Sequence, residues 1–213
     1  MSENAEVDRE IRPWGDVHSR LSRIFDLNSH VPTDPFRQSF RHEAYFHWDH
    51  FLNGNFSDLL KEFANRVGDR SIDLVGVSES RNSQTLHSRA DSIDVASMTP
   101  GSYWAMLMNP VEDNYYSATS TAISGESQKW TCWADNSWEM VILGSELELS
   151  TLELFGVSYY TNISDALELI EPLSTGSSED AQNDQETEVV MRSFISNFGG
   201  AGWSTIQCGP EFE

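Results

Sequence analysis

The sequence predicts an α+β fold, an antiparallel sheet flanked by helices at both ends. Three observations carry that prediction. A full apolar stripe runs at helical spacing from Phe56 to Val67. Short apolar and β-branched segments separated by turn residues fill the stretch from Ile72 to Tyr160. Helical spacing then returns towards the C-terminus, at Val190, Phe194, Ile195 and Phe198. With 213 residues, 38% of them hydrophobic, and with seven Trp, six Tyr and eleven Phe, the chain can bury a sizeable core. We read residues 1–12 as a flexible N-terminus and 13–213 as a single domain with an acidic loop at 174–188.

After Pro13, residues Val17, Leu21, Ile24 and Phe25 fall at helical spacing. Asp34-Pro35 reads as a helix start, followed by Phe36, Phe40, Ala44, Trp48 and Phe51. Ala44, Phe46 and Trp48 also alternate as in a strand, so residues 42–52 stay open between the two. The next helix holds Phe56, Leu59, Leu60, Phe63, Ala64 and Val67, with Asn55 or Ser57 as cap and Gly68 as stop. Ile72–Val77 reads as a strand and a polar loop with Asn82 and His87 follows. Ile93–Met98 and Tyr103–Met108 read as two more strands, parted by Thr99-Pro100-Gly101.

Tyr115–Ser124 reads as a half-exposed strand. Gly125-Glu126-Ser127 then turns the chain into Lys129–Ala134, and Asp135-Asn136-Ser137 reverses it into Trp138–Leu143, a β-hairpin. Glu146–Leu149 alternates, whereas Leu149, Leu152 and Phe155 suit a helix. Ser164 is expected to cap a helix through Glu171 that stops at Pro172. Residues 174–188 contain Ala181 as their only apolar side chain, so a solvated loop is expected before the last helix and its Gly199-Gly200 stop.

Charge is unevenly divided. Residues 1–90 carry 14 Asp and Glu against 11 Lys and Arg, whereas residues 91–213 carry 20 against two, Lys129 and Arg192. Most carboxylates of the second part must therefore face solvent or a partner. Such a surface repels nucleic acid and anionic lipid and attracts basic macromolecules. Cys132 and Cys208 are the only cysteines, which gives neither a disulfide framework nor a paired metal-ligand spacing. The chain starts without a basic segment leading into an apolar run, and no apolar run approaches the roughly 18 residues of a membrane helix. A cytoplasmic location is expected.

For chemistry, Glu43, His47 and His50 would share one side if residues 42–52 were helical, with His42 and Asp49 nearby. That is the pattern of a metal or acid/base site and supports an alternative reading as a metal-dependent enzyme. The ordinary reading is surface or packing histidines and no cofactor. Gly76-Val-Ser78-Glu-Ser80 lacks the second Gly of a nucleophile elbow, and neither Lys61 nor Lys129 follows a glycine-rich phosphate loop. Asp180 and Asp184 suggest a calcium loop, but Gln185 and Met191 stand where it needs Gly and an acid. Trp130, Trp133 and Trp138 form the other unusual group. Strand alternation sends Trp130 and Trp133 to opposite sides, so at least one of the three is expected outside the main core.

The segment Lys129-Trp-Thr-Cys-Trp-Ala-Asp-Asn-Ser-Trp-Glu-Met-Val-Ile-Leu-Gly144 resembles the tryptophan-bearing hairpin of diverse small bacterial immunity proteins of toxin systems. The resemblance implies a cytoplasmic, acidic α+β domain that binds and blocks a cognate, often basic, toxin. It carries over no defined functional residues. From the residues themselves, the expected partner-binding set is Trp130, Trp133, Asp135, Trp138, Glu139, Glu168 and Glu171, with aromatics as anchors and carboxylates as the rim for a basic protein. Direct contact with nucleic acid or membrane is not expected. A DNA-mimic regulator or anti-defence protein, with carboxylates in place of phosphates, is the other binding alternative.

Overall fold

The computed structural model describes residues 14–29, 34–79, 85–108 and 118–166. Among them the chain runs α1 (Trp14–Leu21), β1 (His42–His47), α2 (Asp49–Leu52), α3 (Gly54–Val67), β2 (Ser71–Glu79), β3 (Thr85–Asp94) and α4 (Pro100–Leu107). It continues through β4 (Ser120–Gly125), β5 (Trp130–Asp135), β6 (Met140–Ser145), α5 (Ser150–Leu154) and α6 (Ile163–Ala166). The six strands form one antiparallel sheet in the order β1-β6-β5-β4-β2-β3. The α+β architecture read from the sequence is therefore present, although the helices expected beyond residue 166 lie outside the described residues.

Both sides of the sheet are covered. Odd and even positions of each strand point to opposite sides. Phe46, Leu74, Ile123, Trp130 and Leu143 pack with α2–α5, whereas Tyr45, Val75, Ala122, Trp133 and Ile142 pack with α1 and the segment Ile24–Leu27. This explains why β4, β5 and β6 are buried along their whole length. β4 reads as polar, Ser-Thr-Ala-Ile-Ser-Gly, yet two of its three hydroxyls find partners among the described residues and only Thr121 Oγ1 is buried without one. Ser120 donates to Asp135 at 2.8 Å and Ser124 to the Trp130 carbonyl at 3.1 Å.

Two glycines make close packing possible. At Gly144 an added Cβ would collide with the ring of Phe40, so glycine lets that ring lie against the sheet. At Gly125 an added Cβ would meet the Asp69 carboxylate and stand 2.7 Å from Trp130 Nε1. Asp69 uses that room to accept from Trp130 Nε1 at 3.0 Å, from the Ser127 amide at 2.6 Å and from the Ser127 hydroxyl at 3.1 Å.

Several local expectations change. The open stretch 42–52 divides into strand β1 and the one-turn helix α2, which is why it carries both periodicities. Asp34-Pro35 starts no helix: Asp34 Oδ1 accepts from the Phe36 amide at 2.8 Å, and Phe36 bridges back to Phe25. The cap of α3 is Asn53, not Asn55 or Ser57, and Gly68 closes the helix with a left-handed φ of 79°.

Tyr103–Met108 is helical, not a strand. Thr99 and Ser102 form a capping box with Pro100 in the first turn, so what reads as a turn is a helix start. The strand expected at Ile93–Met98 lies earlier as β3, which places His87 in a strand; Asn82 lies outside the described residues. The strand expected at Tyr115–Ser124 spans Ser120–Gly125, and the second hairpin strand starts at Met140, which leaves Trp138 in the turn. The stretch after β6 resolves as the short helix α5, and the next helix starts at Ile163 and is described as far as Ala166.

Candidate functional site

The two groups singled out by the sequence, the tryptophan hairpin and the Glu43–His50 stretch, meet in the structure. β1 pairs with β6 so that His47 stands opposite Met140, and the chain leaving β1 lies against the β5–β6 turn. The Trp48 amide donates to the Glu139 carbonyl at 2.8 Å. His47 Nε2 lies 3.7 Å from Glu139 Oε2, and its Nδ1 lies 3.4 Å from Asp49 Oδ2. The Asp49 amide donates to that same Nδ1 at 3.1 Å, so in the neutral ring the proton sits on Nε2, facing Glu139.

Asp135 builds the turn from below. Its carboxylate accepts from the Ser120 hydroxyl at 2.8 Å and from the Trp138 amide at 3.1 Å. Burial raises its pKa, and those donors oppose the rise. The Asn136 amide donates to the Thr119 carbonyl at 2.9 Å, and Glu139 closes the turn with a left-handed φ of 48°. Trp130, Trp133 and Asp135 are fully enclosed, so none of them offers surface to a partner. The parity argument holds, with Trp130 and Trp133 on opposite sides of the sheet, but each side has its own helical cover. Of the expected contact residues, Trp138 is half-buried and Glu139 exposed at the turn, while Glu168 and Glu171 lie outside the described residues, as does the loop 174–188.

The metal constellation does not assemble. Glu43 and His47 sit four residues apart in a strand, which separates them by roughly 13 Å along it. His50 belongs to the next helical turn, with its ring edge against Phe46 at 6.0 Å. Burial, and then the charge of His47, lower its pKa. Among the described residues no three His, Cys, Asp or Glu side chains are grouped to hold a metal ion. Burial pushes the Cys132 thiol far above its ordinary range, which keeps it from being a reactive thiolate. Glu43 instead accepts from the Tyr45 hydroxyl at 2.9 Å; burial raises its pKa, the hydrogen bond opposes that, and nearby Asp34 adds to it.

Beyond position 90 the charged groups that the described residues expose are, Lys129 apart, carboxylates. Glu126, Glu146, Glu148 and Glu153 are exposed, and among the described residues none of the four meets a Lys, Arg or His within salt-bridge distance. The Glu153 carboxylate accepts from the Tyr159 hydroxyl at 3.2 Å. Among the described residues beyond position 90, Lys129 is the single Lys or Arg. The Asp69 hub was not anticipated from the sequence; its one readable sign is Gly125 at a strand end, where a side chain is usual. No helix among the described residues is long and apolar enough to cross a membrane. Compared with protein-family models, curated proteins and solved structures, the chain matches none.

Proposed function

We propose that this protein is a non-catalytic acidic binding protein that blocks a basic partner, in the manner of an immunity or inhibitor protein. The observation that supports this reading is the set of exposed carboxylates in the turns that follow β4, β5 and β6, Glu126, Glu139, Glu146 and Glu148, and on α5, Glu153, with only Lys129 as an opposing Lys or Arg in that part of the described chain. Exposed carboxylates accept charge-assisted hydrogen bonds from Lys and Arg and accelerate encounter with a basic surface, whether a toxin's or that of a nucleic-acid-binding protein. The likeness of the 129–144 hairpin to immunity proteins agrees with this role.

The test uses a protein captured on the immobilised chain, identified, and remade in pure form. Its association rate with wild type should fall about tenfold or more between about 50 mM and about 500 mM salt. A variant carrying Glu139→Gln, Glu146→Gln, Glu148→Gln and Glu153→Gln should bind slowly even at low salt. Equal rates at both salt concentrations would remove the reading. Competition by duplex DNA for the partner would place the blocked surface at its nucleic-acid site.

A further inference from the structure

Between β1 and α3 the chain makes a single helical turn, α2, and its backbone holds it weakly. The Phe51 and Leu52 amides both donate to the Trp48 carbonyl, at 2.8 and 3.4 Å, and the Asn53 amide donates to the His50 carbonyl at 3.1 Å. No side chain caps its start. One turn of helix is not stable by itself, so α2 depends on what it touches. Trp48 and Phe51 are buried with their ring centres 4.5 Å apart, and Phe51 meets Phe56 edge to face at 5.7 Å. Two hydrogen bonds tie the turn to distant elements. The Tyr103 hydroxyl of α4 donates to the Phe51 carbonyl at 2.9 Å, and the Trp48 amide donates to the Glu139 carbonyl in the β5–β6 turn at 2.8 Å.

His50 is the polar member of this turn. Its ring is half-buried, crosses the Phe46 ring at 74° and makes no hydrogen bond among the described residues. A neutral imidazole fits such a place better than a charged one, because burial removes water without supplying an acceptor. Burial lowers the His50 pKa most, the charge of His47 on β1 adds to that, and Asp49 on α2 itself opposes it. The other charged neighbours are engaged elsewhere or form no ion pair with it. Glu139 faces His47 at 3.7 Å, Lys61 on α3 donates to the Met98 carbonyl, Asp58 on α3 makes no ion pair among the described residues, and α4 carries no charge. We propose that α2 is a proton-operated latch: a proton on His50 drives its ring into water and opens the turn, which frees the Phe51 carbonyl from Tyr103 and the Trp48 amide from Glu139. An open turn returns His50 to the ordinary value of about 6.5, so its population rises as pH falls through that range. Opening uncovers Trp48 and Phe51, apolar surface that neutral pH keeps shut. The latch does not depend on the binding role proposed above.

Amide hydrogen exchange of the full chain, followed by NMR and corrected for the intrinsic effect of pH, reads the latch. Protection of Phe51, Leu52 and Asn53 should lie at least about tenfold below that of β5 and fall about threefold or more between about pH 7.5 and about pH 5.5. His50→Gln should abolish the fall, whereas His47→Gln should leave most of it. Tyr103→Phe removes a tie but no group that titrates in this range, so it should lower protection of α2 at both pH values and keep the fall. Protection in α2 equal to that in β5 would overturn the inference, because the turn would then open only with the whole fold. A fall that persists in His50→Gln would overturn it too. So would a His50 ring that titrates at or above about 6.5 in the folded chain, which would mean that the Phe46 ring holds the cation in place. That titration is read on wild type, so the test stands even where a variant does not fold.

Discussion

Arg20 on α1 grips Asp73 of β2 with two parallel hydrogen bonds, Nε to Oδ2 at 2.5 Å and Nη2 to Oδ1 at 2.8 Å. Asp73 is almost fully buried and Arg20 about a quarter exposed, so the pair ties the α1 layer to the sheet through a desolvated carboxylate. Arg20→Ala should cost about 3 kcal/mol by stranding that carboxylate, whereas Arg20→Met with Asp73→Leu should come within about 1 kcal/mol of wild type. Urea unfolding of Arg20→Met, of Asp73→Leu and of the double checks this. Strictly additive losses would show that the pair is not the link.

Gly125→Ala forces a methyl group into the space of Asp69 and Trp130. The expected cost is about 1–3 kcal/mol. Asp69→Ala should also destabilise, since three donors lose their acceptor. Combined, the two should cost clearly less than their sum, because the second removes the carboxylate with which the first collides most closely. Thermal unfolding of the cycle reads the coupling directly.

His50 is held below its ordinary pKa of about 6.5 by burial. The unfolded chain therefore takes up a proton that folded His50 refuses, and stability should fall as pH drops through about 6.5. His50→Gln should flatten that part of the profile between about pH 7.5 and 5.5. An unchanged slope would show that other groups carry it.

Asp135 has the opposite sign. Its raised pKa means that the folded state holds the proton more tightly, so its contribution to stability diminishes as pH rises from the ordinary carboxylate value of about 4 through the folded value. Asp135→Asn should remove that decline. The denaturant midpoint at about pH 4 should therefore fall relative to that at about pH 7 when the variant is compared with wild type.

Glu139 occupies a left-handed conformation that favours glycine. Glu139→Gly should stabilise the chain by about 0.5–1 kcal/mol despite the entropy that glycine adds to the unfolded state, while Glu139→Gln should be neutral. Both variants should bind a basic partner more slowly. A loss of stability in the glycine variant would show that the His47–Glu139 contact outweighs the backbone strain.

The hairpin of β5 and β6 was legible because alternating aromatic and aliphatic residues flank an Asp-Asn-Ser reversal, and α3 because its stripe is complete and ends at Gly68. Tyr103–Met108 was not, because a run apolar at every position carries neither period, and Thr99-Pro100-Gly101-Ser102 serves equally as turn or helix start. The expected site was only partly legible for a related reason. Alternation along one hairpin tells that Trp130 and Trp133 diverge, but not that α1, more than a hundred residues earlier, covers the second of them. The cover is non-local, whereas the pattern is local.

The pairing of β1 with β6 sets the order of assembly during synthesis. His42 meets Ser145 and His47 meets Met140, so the first strand waits about a hundred residues for its neighbour. Until Met140–Ser145 has left the ribosome, the Ala44-Tyr45-Phe46 stretch and its half of the hydrophobic interior have nothing to close on. Chain closure this distant is slow and leaves apolar surface open to wrong associations. A nascent chain stalled before residue 140 should therefore be protease-sensitive and chaperone-bound, and release beyond residue 145 should end both.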